Sequence, residues 1–152
     1  MPTEQIVVID KEVSVGVTSA TVYGFYSVPS NSATLTALIN AKKGGKIPKI
    51  LRVRMRYRVE YVRPTPATTG SGSITILDCS GNEVRPPPVT IMVSWNNPVQ
   101  EGEIDLTKYF SCQAPALGIN AVKVELGPAG WPIPIPTTVY KVRVEMIWEW
   151  GW

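Results

Sequence analysis

The chain contains no histidine among its 152 residues. Acid–base chemistry near neutral pH and most transition-metal sites rely on imidazole. Their commonest forms, including a serine triad, are therefore excluded. Carboxylate-only and lysine-based chemistry stay open in principle, but no motif supports either. The expectation is a protein that is not an enzyme and carries no cofactor. Charge is sparse as well: Asp, Glu, Lys and Arg make up 18% against 44% hydrophobic residues, and the formal net charge is +3. That charge is too small for a dedicated nucleic-acid binder on its own, and so low a charged fraction points to a surface that is largely covered. No apolar run approaches the ~20 residues that cross a bilayer. The opening stretch, MPTEQIVVIDKEVSV, has neither a basic start nor a continuous apolar segment. It does not read as a signal peptide, which implies synthesis in the cytoplasm.

Cysteine is nearly absent too. Cys79 and Cys112 match no metal-ligand spacing. They form either one disulfide closing a long loop, which the chain-entropy model values at roughly 4 kcal/mol, or two buried thiols. Disulfides inside cells are ordinarily rare, with hyperthermophiles the exception. Few Gln, no His and abundant Pro are compatible with a hot-living source.

What the chain does hold is a β-protein composition, with Pro 14 and Gly 12 punctuating stretches rich in Val, Ile, Thr and Tyr. The clearest stretch is Leu51 to Val62, LRVRMRYRVEYV. Leu51, Val53, Met55, Tyr57, Val59 and Tyr61 share one side of an extended strand, and Arg52, Arg54, Arg56, Arg58 and Glu60 share the other. The last segment, Thr138 to Trp152, repeats the pattern: Tyr140, Val142, Val144, Met146, Trp148 and Trp150 lie on one side, Lys141, Arg143, Glu145, Ile147 and Glu149 on the other. Further strands are expected at Gln5–Val15, Ala20–Val28, Ser73–Asp78, Val89–Trp95 and Asn120–Leu126, and at Ala33–Ala41, where the Thr content favours a strand over a short helix. Gly24 suggests a bulge or a close backbone approach. Ser80-Gly81-Asn82 reads as a tight turn, and Asp105 to Phe110 as a short helical turn opened by Asp105.

Pro86-Pro87-Pro88 and the proline-rich stretch 128–136 cannot sit inside a central strand. PTPATTGSGS, after Arg63, reads as a loop. The basic loop Lys42-Lys43-Gly44-Gly45-Lys46 lacks the ending and helix of a phosphate-binding loop. About eight strands with almost no helix describe an all-β, two-sheet antiparallel sandwich spanning 1–152 as one domain. A jelly roll is the first choice and an immunoglobulin-like sandwich the second.

Two clusters invite a functional reading. The row Arg52, Arg54, Arg56 and Arg58 either meets an anionic partner, nucleic acid or a neighbouring subunit, or pairs across strands with Glu125, Glu145 or Glu149. Arginine in place of lysine favours packed, bidentate contacts. Trp148, Trp150 and Trp152 fill the end of a core, anchor a subunit interface, or form a platform for sugar rings. Asp10, Glu12, Glu101, Glu103 and Asp105 are the carboxylates available for paired catalysis, and nothing in their spacing sets two of them across a substrate. QEGEID, with Glu101, Glu103 and Asp105, also offers clustered oxygen ligands for Ca²⁺, without a loop consensus.

Residues 103–110, EIDLTKYF, followed by 118–126, GINAVKVEL, resemble a passage of the galactose-binding-like jelly rolls that accompany β-galactosidase-type glycoside hydrolases. There the passage forms a strand, a helical turn and the next strand. The resemblance implies a fold and transfers no ligand residue. As a whole the chain resembles single jelly-roll capsid subunits of viruses infecting thermophilic hosts, in size, strand count, proline-rich crossovers and aromatic terminus. That resemblance implies a self-assembling coat protein located in the virion, with copies of itself or other coat subunits as partners. The alternative is a carbohydrate-binding module in which Trp131, Trp148, Trp150 or Tyr109 stacks on sugars.

Overall fold

The computed structural model describes residues 3–16, 18–27, 49–63, 68–78, 80–110, 119–128 and 137–151. Eight strands lie within them: β1 (Thr3–Val15), β2 (Ala20–Ser27), β3 (Lys49–Arg63), β4 (Thr69–Ile76), β5 (Val89–Ser94), β6 (Val99–Asp105), β7 (Ile119–Leu126) and β8 (Thr138–Gly151). A 3-10 turn, Thr107–Phe110, follows β6.

The pairing is nested. The first strand pairs with the last, β2 with β7, β3 with β6 and β4 with β5, all antiparallel. The chain is thus one long hairpin, rolled so that β3 also meets β8 and β4 also meets β7. Two four-stranded sheets result, in the orders β1-β8-β3-β6 and β2-β7-β4-β5. This double-sheet arrangement of eight strands is the jelly roll; the immunoglobulin-like alternative does not occur.

Alternation decides what lies between the sheets. From the first sheet, Tyr140, Val142, Val144, Met146 and Trp148 of β8 and Val53, Met55, Val59 and Tyr61 of β3 point inward and are buried. Ile74 and Ile76 of β4, Ile91 of β5 and Val122, Val124 and Leu126 of β7 meet them from the second. Burying each such side chain contributes about 1.5–3 kcal/mol.

At Gly24, β2 passes close to β1. The β1 ladder shifts register between Val7 and Ile9, and a Cβ at Gly24 would lie 2.5 Å from Val8 Cγ1 and 2.8 Å from the Val8 carbonyl oxygen. The bulge belongs to β1, and the glycine across from it makes room. Asp78 organises the turn expected at residues 80–82: its Oδ1 accepts the Ser80 and Asn82 N–H groups, and Gly81 takes the positive φ of 84°.

Two expectations need correction. β4 begins at Thr69, inside what reads as a loop, because Gly and Ser carry no alternation signal; pairing with β5 and β7 makes this segment a strand. β6 has no counterpart among the expected strands, since its side chains are exposed or half-buried throughout and leave no apolar stripe to read. The expected strand Ala33–Ala41, the basic loop 42–46 and most of the stretch 128–136 lie outside the described residues.

Candidate functional site

Among the described residues, the outer face of the first sheet carries a connected ion-pair network. Its centre is the β3 arginine row, and the registers set carboxylates on both sides of it. Arg56 lies opposite Glu103 of β6 and Glu145 of β8; Arg58 lies opposite Glu101. Side chains long enough to reach diagonally complete the network. Arg52 Nε bonds to Asp105 Oδ2 at 3.2 Å. Arg54 spans two strands, with Nη1 on Glu103 at 2.7 Å and Nη2 on Glu149 at 3.1 Å. Arg56 stands 3.7 Å from Glu103 and 3.8 Å from Glu145. Arg58 pairs with Glu60 at 3.2 Å and faces Glu101 at 3.6 Å.

Glu145 is the most enclosed of these groups, 6% exposed on the outward side of central strand β8. A buried carboxylate is tolerated only when its lone pairs are filled. Here Oε1 accepts Arg143 Nε at 2.9 Å and lies 2.7 Å from its Nη2, while Oε2 accepts the Gln5 amide. Arg143 also reaches Asp10 at 2.8 Å, and the residue opposite it on β3 is a like charge, Arg58. These carboxylates hold the Arg143 pKa above its ordinary value, Glu145 chiefly, through its hydrogen bond.

Asp105 does two jobs at the end of β6. Its Oδ1 accepts the Thr107 N–H at 2.8 Å, closing the 3-10 turn, while Oδ2 holds Arg52. The hydrogen bonds from Thr107 keep its carboxyl below the usual range, with Arg52 adding to the effect. Leu106 N–H and Thr107 Oγ1 bond the Val53 backbone, so the turn is pinned to β3 and places Phe110 edge-on to Trp148, ring centres 5.3 Å apart.

On this face five arginines (Arg52, Arg54, Arg56, Arg58 and Arg143) stand within 3.8 Å of seven carboxylates (Asp10, Glu60, Glu101, Glu103, Asp105, Glu145 and Glu149). Each arginine of the row is therefore paired with a carboxylate where it lies. An open depression of about 440 Å³ lies in this face, walled by Arg56, Arg58, Arg143, Glu101, Glu103 and Glu145. It combines both charges with the Tyr57 ring.

Of the acids expected opposite the arginines, Glu145 and Glu149 are there. Glu125 sits in the other sheet, 2.7 Å from Lys123. The partners missed in the sequence are Glu101, Glu103 and Asp105, which each face an arginine; among the described residues no cluster of three or more potential metal ligands forms. Their signal was present, as acids at every second position, the same period as the arginines they meet.

Trp148 is fully buried and belongs to the core. The Trp150 backbone pairs with Ile50, but its side chain lies outside the described residues, as do Trp131, Trp152, Cys79 and Cys112. Tyr109 is half-buried against the core, with Lys108 Nζ 5.0 Å from its ring centre. No described helix is long and apolar enough to cross a membrane.

No protein-family model and no curated protein matches this chain. Among solved structures it is similar to a chain of "Desmodium yellow mottle tymovirus", at 11% identity and a TM-score of 0.41, covering 97% of this chain and 88% of that one. It is also similar to a chain of "Structure of infectious bursal disease virus Gx strain", at 10% identity and a TM-score of 0.45, covering 96% of this chain and 31% of that one.

Proposed function

We propose that the protein is a structural, self-assembling subunit, a coat protein of a virus with a thermophilic host. The observation that carries the reading is the jelly-roll roll-up, with sheet orders β1-β8-β3-β6 and β2-β7-β4-β5, an architecture shared by viral capsid domains, lectins and cupins. The chain supplies the first of these uses better than the others. A cupin-type metal centre needs ligands this histidine-free sequence lacks. The sugar-platform alternative loses Trp148 to the core.

A rigid block with few charges, 18% of residues, suits a molecule whose surface is mostly covered by neighbours. The ion-pair network across β6, β3, β8 and β1 supports the hot-host reading, because desolvating ions costs less as temperature rises. The arginine row contributes to that network first; packaged nucleic acid, if contacted, would have to compete with the carboxylates already in place.

The test is the mass of the purified protein by light scattering, across concentration and salt. Large uniform particles or closed rings are expected, with electron microscopy giving their symmetry. A monomer at every concentration overturns the reading, and glycan titration followed by tryptophan fluorescence then tests the alternative.

A further inference from the structure

We propose that β2 is a self-association edge, at which two copies of this chain join antiparallel, β2 to β2, into one continuous sheet. The proposal deepens the assembly reading and rests on it for the identity of the partner.

Two four-stranded sheets leave four edge strands, β1, β6, β2 and β5, and an unprotected edge is a template for pairing. Three of them are protected. β6 carries Glu101, Glu103 and Asp105 at alternate positions, so a second β6 would set acid against acid. β1 is bulged between Val7 and Ile9 and carries Asp10, Lys11 and Glu12. β5 is occupied: Gln100 Oε1 accepts the Met92 N–H and Gln100 Nε2 donates to the Thr90 carbonyl. The exposed Met92 therefore sits on a strand whose edge is already in use.

β2 has none of these devices. ATVYGFYS holds no charge and no proline, and its ladder with β7 runs without a register shift. Among the described residues no backbone hydrogen bond reaches it except from β7. β1 approaches it at the inward side of Gly24. On the outward face Tyr23 and Phe25 stack, ring centres 6.0 Å apart at 17°, and are 50% and 66% exposed.

A second copy fits because the strand is close to palindromic about Gly24. An antiparallel two-fold through Gly24 sets Tyr23 opposite the partner's Phe25, and Phe25 opposite the partner's Tyr23, on the same outer face. Four rings would meet with no charge among them, and the outward backbone groups of the two edges would pair with each other.

The experiment compares the full chain with Phe25→Lys and Phe25→Trp by concentration-dependent light scattering, with amide hydrogen exchange of Ala20–Ser27 measured at low and high concentration. The proposal expects the lysine variant to weaken association roughly tenfold or more, with the tryptophan variant close to the parent. It also expects β2 amides to gain protection as concentration rises. Association unchanged by Phe25→Lys overturns the β2 edge while leaving the assembly reading standing. Protection of β2 that is independent of concentration also overturns it, since the chain's own segment would then cover the edge. A monomeric parent overturns both readings together.

Discussion

The side chain of Gln100 holds the backbone of Met92 as a neighbouring strand would. Its Oε1 accepts the Met92 N–H at 2.8 Å, and its Nε2 returns a hydrogen bond to the Thr90 carbonyl at 2.9 Å. A primary amide carries the same donor and acceptor as a peptide group, so one side chain from β6 closes the β5 edge and ties the two sheets together.

Replacing Gln100 by Leu should therefore lower stability by about 1–2 kcal/mol, two hydrogen bonds at ordinary net value. It should also open the β5 edge. Urea denaturation measures the first effect, and light scattering at rising concentration the second. A variant as stable and as dispersed as the parent would refute the closure.

The four arginines of β3 should differ in worth. Arg54 is 23% exposed and bridges Glu103 and Glu149, whereas Arg52 and its partner Asp105 are each about half exposed, at 49% and 52%. Arg54→Ala is expected to cost about 2 kcal/mol, because it strands part-buried carboxylates. Arg52→Ala should cost under about 1 kcal/mol and fade with salt. Equal losses in paired denaturation curves would contradict this ordering.

Tyr140 sets an alkaline limit. It is fully buried, donates to the Gly127 carbonyl at 2.8 Å and stands edge-on to Tyr61. Burial raises its pKa from 10.0 to about 12. The folded state then holds the proton more tightly than the unfolded chain, so this stabilisation is complete below pH 10 and is lost as pH climbs towards 12. The slope approaches about 1.4 kcal/mol per pH unit. Tyr140→Phe should flatten that part of the stability profile.

Gly24→Val should destabilise by about 1–3 kcal/mol, since the new side chain meets Ile9 Cγ1 and the Val8 carbonyl oxygen. Gly16→Ala is the control: nothing lies within 4 Å of a Cβ there, and surface changes of that kind stay within about 0.5 kcal/mol. Thermal melts of the pair decide the matter.

Much of this was legible in advance, for a definite reason. Strands buried on one face announce themselves by period two, so the inward sides of β3 and β8 could be named residue by residue, as could the turn after Asp78 and the turn after Asp105. β6 stayed hidden because it buries no stripe; its partner is charge, and acids at alternate positions also occur in loops. The glycine- and serine-rich start of β4 hid for a related cause, as small side chains carry no face preference.

By itself the sequence determined the strand class, the two-faced character of the long strands and the exclusion of histidine chemistry, because these follow from side-chain type and alternation along a single chain. Only the tertiary structure decided which strands became neighbours. That choice turned the arginine row into a paired lattice with Glu101, Glu103, Asp105, Glu145 and Glu149, seated Trp148 against Phe110 in the core, and left β2 as an uncharged edge. Pairing across a rolled hairpin depends on residues far apart in the chain, such as Arg54 and Glu149, and local pattern does not carry that distance.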